Sequence, residues 1–176
     1  MLRTRWAVVA TVFSIVCAPT ATAQPPGFPN LDGYTNVSRG FFVAEAHQIQ
    51  FTTPNGLHCR FDVGDDVDMM GQDLTCNGPI PAVDGTPLTG PGQGDCDLGT
   101  AELRSGQPAT LTRFRGPCPN NGPGGVFPEG NILRPAYKVS AGPTMCGVFG
   151  QNELACFDKA KGQHGFVLAP AGNWLF

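Results

Sequence analysis

Apolar and polar side chains alternate with a period of two through several short stretches of this chain. From His47 onward, Ile49 and Phe51 alternate with Gln48, Gln50 and Thr52, which predicts a β segment over residues 41–53. Pro54-Asn55-Gly56 then breaks the pattern: Pro presets one backbone angle and Asn-Gly accepts the left-handed region, so a tight turn is expected. Leu57-His58-Cys59-Arg60-Phe61 resumes the alternation and completes a hairpin. Residues 101–114 read as two strands about Ser105-Gly106, and three short strands are expected around 144–148, 153–157 and 165–168. Trp174 and Phe176 are placed over one end of the core, and no long helical period or repeat is found.

A smaller pattern recurs within these strands. Leu57-His58-Cys59, Leu74-Thr75-Cys76 and Leu154-Ala155-Cys156 each set a leucine two residues before a cysteine. Side chains two apart share a strand face, so leucine and sulfur should both enter the core, as structural disulfides do.

Composition sharpens the fold class. The chain of 176 residues has 24 glycines and 17 prolines, and only 14% of its residues are charged. Ordinary soluble domains carry about 25% charge. An interior Gly or Pro costs a helix about 1 or 3 kcal/mol relative to Ala, so long helices are disfavoured. The expectation is an all-β, disulfide-stapled sandwich or barrel-like antiparallel domain. Its long irregular loops are an acidic one at 62–73 and two rich in Pro and Gly at 77–94 and 116–130.

The first residues look like a targeting segment. Arg3 and Arg5 precede an apolar run over residues 6–18, and Ala21-Thr22-Ala23 offers the small residues of a cleavage site before Gln24. The run is short of the roughly 20 apolar residues that span a bilayer. Cys17 follows the bulky Val16, which disfavours lipid attachment there. Removing residues 1–23 from 176 leaves 153, enough for a single domain over 41–176 preceded by a flexible lead-in at 24–40. Lys plus Arg falls from 11 to 9 against 14 Asp plus Glu, a net charge of −5. With no basic cluster beyond Arg113 and Arg115, nucleic acid is not expected as a partner, nor is stable membrane insertion. The destination is outside the cytoplasm, as a secreted or cell-wall protein.

Six cysteines remain after cleavage: Cys59, Cys76, Cys96, Cys118, Cys146 and Cys156. Six allow 15 connectivities, among which sequence does not choose. Neighbours in sequence each flank a plausible turn or loop, so Cys59–Cys76, Cys96–Cys118 and Cys146–Cys156 is the first expectation. No Cys-x-x-Cys occurs, and nine residues separate even Cys146 from Cys156, which argues against a zinc site and against thioredoxin-like chemistry. No metal or cofactor is expected.

Phe51-Thr52-Thr53-Pro54-Asn55-Gly56-Leu57-His58-Cys59 resembles the Phe-x-Ser/Thr-Pro-Ser/Asn-Gly-x-x-Cys opening of a secreted six-cysteine domain of unknown function from actinobacteria, of mycobacterial type. The late Cys146 and Cys156 and the following His164-Gly165-Phe166 extend the resemblance to about residues 51–176. Where the family often has Pro-Tyr-Gly before the last cysteine pair, this chain has Pro135-Ala136-Tyr137. The resemblance implies secretion and a disulfide-bonded β domain, and it brings no catalytic residues.

Catalytic constellations are weak. The mature serines are Ser38, Ser105 and Ser140, none in a Gly-x-Ser-x-Gly elbow. Ser38 with His164 and an aspartate is the one conceivable triad. His47, His58 and His164 otherwise read as ordinary strand or turn histidines, and no spacing among Glu45, Glu102, Glu129, Glu153 and the aspartates selects a glycosidase pair. In the acidic loop, Asp66-Val67-Asp68-Met69-Met70-Gly71 starts like an EF-hand, but Met70 stands where the fifth position needs an oxygen ligand, and Asn77 where the twelfth needs a bidentate Glu. A looser calcium site from Asp62, Asp65, Asp66, Asp68 and Asp73 is weighed against a solvated loop, and the solvated loop is preferred.

The sequence thus points to a non-catalytic extracellular module that meets a protein, cell-wall (cell-envelope) or small-molecule partner through the loops at 77–94 and 116–130. One version is a disulfide-braced protease inhibitor, for which Pro143-Thr144-Met145-Cys146 has suitable residues. The alternative is a secreted hydrolase with a site unrecognisable from sequence.

Overall fold

The computed structural model describes residues 25–38, 40, 43–45, 48–62, 73–89, 92, 94–104, 106–118, 132–159 and 163–176. The expected targeting segment over residues 1–23, His47, Ser105, the centre of the acidic loop and most of the 116–130 loop lie outside the described residues.

Among the described residues twelve strands are formed: β1 (Thr35–Asn36), β2 (Val43–Glu45), β3 (Gln48–Thr52), β4 (His58–Asp62), β5 (Asp73–Gly78), β6 (Cys96–Leu103), β7 (Thr110–Gly116), β8 (Tyr137–Ala141), β9 (Thr144–Gly150), β10 (Glu153–Asp158), β11 (Gly165–Leu168) and β12 (Trp174–Leu175). They make two six-stranded sheets, β2-β3-β4-β5-β6-β7 and β1-β8-β9-β10-β11-β12. Every pairing is antiparallel except β1 with β8. Among the described residues the helical content is one short 3-10 turn, Val83–Gly85.

The expected hairpin is β3–β4, with Phe51 opposite Cys59 and Gly56 in the left-handed region at φ 85°. The Gly56 N–H donates to the Thr53 carbonyl, and the Thr53 N–H to the Leu57 carbonyl, both at 2.9 Å. These bonds close the turn and set the register that sends Phe51, Cys59 and Phe61 to one face.

That face meets its counterpart from the other sheet, which makes the architecture a sandwich. Ile49, Phe51, Phe61, Leu74, Ala101 and Leu103 from the N-terminal sheet share one buried cluster with Val139, Val148, Leu154, Phe166 and Leu168 from the C-terminal sheet. All three Leu-x-Cys pairs lie in it. The disulfides are Cys59–Cys76, Cys96–Cys118 and Cys146–Cys156, the pairing of sequence neighbours. The first and third each tie directly opposed residues of adjacent strands, one in each sheet, with all four cysteines fully buried.

The lead-in behaves differently from the sequence reading. Within 24–40, residues 25–34 run across the outer face of the C-terminal sheet before β1 joins its edge, and there Phe28 and the fully buried Leu31 join Met145, Ala155, Phe157 and Val167. The physical cause is a slot of small residues. Gly147 pairs with Ala155, and a Cβ on Gly147 would come within 2.9 Å of the Leu31 methyls. Lys138 Nζ donates to the Leu31 carbonyl at 2.7 Å and fixes the strap above its own strand. Trp174 and Phe176, expected at one end of the main core, instead complete this second cluster, with their rings 4.7 Å apart.

Candidate interaction site

The N-terminal sheet ends in β7, and an edge strand is a liability unless something covers it. Here the cover is the connection between β5 and β6, which crosses the end of the sheet and returns along β7. Its apolar anchors are Ile80 and Val83, each 4% exposed. Ile80 fits because Gly99 beneath it has no side chain: a Cβ there would lie 2.7 Å from Ile80 Cδ1. Two distant amides hold the same stretch, Asn55 Nδ2 donating to the Pro79 carbonyl at 3.2 Å and Asn173 Nδ2 to the Pro81 carbonyl at 2.8 Å.

Arg113 of β7 is the hub beyond these anchors. Its Nε and Nη2 grip Asp97 of β6 through both carboxylate oxygens, at 3.2 and 2.8 Å, while Nη1 donates to the Asp84 carbonyl at 3.0 Å. Arg115 adds a contact to Asp97 at 3.4 Å. Bidentate charged pairs of this kind fix geometry as well as charge. The hydrogen bond from Arg113 is the main reason the Asp97 carboxyl is held below its usual range, and it raises Arg113 in return. The charges of Arg113 and Arg115 act on Asp97 in the same direction, and its partial desolvation opposes them.

The backbone of Arg113 completes the brace. Its carbonyl accepts from both the N–H and the Oγ1 of Thr89, each at 2.8 Å, and Leu88 bridges Arg113 in parallel. Gly92 and Gly94 continue along the strand so closely that a side chain on either would strike the backbone of Arg115 or of Gly116 and Pro117. The Cys96–Cys118 disulfide then clamps the end of this loop to the start of the next, the expected loop of residues 116–130. Unlike the buried pairs, it lies at the surface, with Cys96 half-buried and Cys118 exposed. What this frame presents is Pro87-Leu88-Thr89, all exposed; Leu88, at 50%, is the most exposed large hydrophobic residue described.

Other sequence candidates are dispersed. Ser38 follows β1 and His164 precedes β11, so four strand spacings of about 4.8 Å separate them across the sheet and no relay joins them. His58 stands half-buried on the outer face of the N-terminal sheet, level with Thr52 and Asn77. Burial first, and Arg60 second, lower its pKa. Ser140 lies in β8, opposite Met145. Asp62 and Asp73 face each other at the mouth of the β4–β5 hairpin, and Asp65, Asp66 and Asp68 lie outside the described residues. Among the described residues no three His, Cys, Asp or Glu converge, and no helix is long and apolar enough to cross a membrane.

Pro143-Thr144-Met145 offers little side-chain surface for docking. Thr144 and Met145 are buried at the start of β9, on opposite faces of the sheet, and Met145 lies in the second cluster with Phe28 and Leu31. The Arg113 hub went unseen in the sequence because Arg113, Asp97 and Asp84 meet only once the β6–β7 register is known. Its one signal was the Arg113-x-Arg115 alternation, two positive side chains on one face of a strand in an acidic chain. No protein-family model, no curated protein and no solved structure gives a significant match to this chain.

Proposed function

We propose that this chain is a secreted, non-catalytic interaction module whose loop end, centred on residues 86–94, engages a protein or cell-envelope partner outside the cytoplasm. The carrying observation is the surface disulfide Cys96–Cys118, which ties the roots of both long loops at the end of the β7 edge along which the exposed Leu88 runs. A loop needed only to connect β5 to β6 requires no such frame. Loops held rigid lose less entropy on binding, and an exposed apolar side chain on a rigid base is what interface anchors are made of. Three intramolecular disulfides suit an oxidising, extracellular setting.

The test is capture on immobilised protein from culture medium and from cell-envelope extracts. Leu88→Asp should abolish recovery of the partner, whereas Thr75→Asp, on the open outer face of the N-terminal sheet, should leave it intact. The reverse pattern would reject the loop end as the binding surface.

A further inference from the structure

Residues 86–89, Thr-Pro-Leu-Thr, have the properties of a bound protease substrate before any protease is present. Thr86 is extended, at φ −94° and ψ 133°, and its N–H is fixed to the Val83 carbonyl at 2.8 Å. Pro87 locks the next φ by its ring. Leu88 projects to solvent, and Thr89 is tied to the Arg113 carbonyl by two hydrogen bonds. In a parallel bridge whose bonds run through the neighbours of a residue, that residue's own N–H and C=O face the other way. For Leu88 that direction is away from β7, where an endopeptidase needs them: the N–H to pair with its substrate-binding strand, the C=O to enter its oxyanion hole.

We infer that residues 86–89 form a substrate-like inhibitory loop for a serine endopeptidase with an apolar primary pocket, and that Leu88 is the side chain filling that pocket. The inference rests on the interaction reading above and names its partner. Leucine is unbranched at Cβ and apolar, which suits a chymotrypsin- or subtilisin-type pocket and not one lined by a carboxylate.

The frame also explains why such a loop would inhibit instead of being consumed. Attack by the protease serine Oγ on the Leu88 carbonyl carbon forms an ester, breaks the bond to the Thr89 nitrogen, and passes the serine proton through the protease histidine to that nitrogen. In an ordinary substrate the new amine departs. Here Thr89 stays held by Arg113 through its own nitrogen and Oγ1, and on the acyl side Ile80 and Val83 stay buried in the core with the Thr86 N–H tied to the Val83 carbonyl, so both ends remain in place without a covalent link across the cut. A held amine attacks the ester at a high effective concentration, which re-forms the peptide bond and returns the serine proton.

The experiment uses the intact secreted chain against chymotrypsin, subtilisin and trypsin, each with a chromogenic peptide substrate. Tight inhibition of chymotrypsin or subtilisin is expected. Leu88→Lys should weaken it by roughly 100-fold or more and create trypsin inhibition, since a lysine then meets the trypsin carboxylate. Thr89→Ala should still inhibit, but with faster build-up of chain cut between residues 88 and 89, read by mass spectrometry. Circular dichroism and a thiol count confirm that both variants fold. Absence of inhibition, inhibition indifferent to Leu88→Lys, or rapid cutting with release would overturn the inference. If partner capture still depends on Leu88 while no endopeptidase is inhibited, the inhibitor assignment alone falls; if capture is also indifferent to Leu88→Asp, both readings fall.

Discussion

The C-terminal sheet is dry on both faces, whereas the N-terminal sheet is dry on one. Cys146, Val148, Leu154, Cys156, Phe166 and Leu168 face the sandwich interior, and on the reverse side Met145, Ala155, Phe157 and Val167 lie under the strap and the last residues. Across the sandwich, the outer face of the N-terminal sheet carries rows such as Gln50-Arg60-Thr75-Glu102-Thr110, read across β3 to β7. Its order at the loop end comes, beyond the Ile80 and Val83 anchors, from directional devices: the Arg113 fork, two asparagine amides and a surface disulfide. The difference separates two tasks. Apolar burial near 25 cal/mol per Å² supplies most of the stability in the C-terminal sheet, while directional bonds at the end of the N-terminal sheet fix a shape without adding much to it.

The two kinds of disulfide give the sharpest way to break that comparison. Loop closure alone ranks Cys96–Cys118 above Cys146–Cys156, since their sequence separations are 22 and 10. The advantage is only about 0.7 kcal/mol in the chain-entropy model. Burial reverses the order, because Cys146 and Cys156 also fill core volume. Replacing both by alanine should cost about 4–5 kcal/mol in urea denaturation, against about 3 kcal/mol for Cys96→Ser with Cys118→Ser. The surface pair should instead expose residues 86–94 to limited proteolysis at a urea concentration where the core remains folded. Equal or inverted stabilities would mean that the loop clamp organises the fold as well.

Leu31→Ala tests the second face of the C-terminal sheet. A fully buried leucine over Gly147 and Ala155 should cost about 3 kcal/mol on truncation, with little change in the urea m-value. Thr75→Ala, on the opposite outer face, should stay within about 0.5 kcal/mol of the parent. A small loss at Leu31 would show that the strap rests on the sheet without supporting it.

A smaller effect is expected at Arg113. Arg113→Gln removes the grip on Asp97 and Asp84, so amide hydrogen exchange at residues 84–89 should speed up while Tm falls by less than for Leu31→Ala. The same fork has an acid limit. Asp97 is depressed in the folded chain, so its contribution is complete above the unfolded carboxylate pKa of about 4 and fades as pH falls through the folded value. Protection of the loop amides, taken relative to their intrinsic exchange rate at each pH, should therefore fall below about pH 4 in the parent chain, and Arg113→Gln should blunt that step.

Much of this was legible in local pattern, and what was not depended on register. Alternation in residues 48–52 and 57–61, the Pro54-Asn55-Gly56 turn and the three Leu-x-Cys pairs are consequences of neighbours two apart, which a sequence displays directly. The strap escaped notice because Pro25, Pro26, Gly27 and Pro29 make it look unstructured, and the slot for Leu31 is made by residues more than a hundred positions away. Asp84, Asp97 and Arg113 likewise sit on three separate segments, and none is unusual alone. Short edge pairings such as β1 with β8 and β11 with β12 involve two residues each, too few to carry a period.

The mildest prediction concerns His58, half-buried beside the buried Thr52 on the otherwise polar outer face of the N-terminal sheet. Its pKa is lowered by burial and then by Arg60, so the folded chain prefers the neutral ring more than the unfolded chain does. Between the unfolded value near 6.5 and the folded value below it, the unfolded state binds more protons. Stability must then rise with pH across that window and be lost as pH falls through it. Tm should be lower at pH 5 than at pH 7.5, by less than the shift from Leu31→Ala, and His58→Gln should flatten the difference. A His58→Gln chain that keeps the full pH dependence would place the titrating group elsewhere, and the outer face would then be as passive as its threonines suggest.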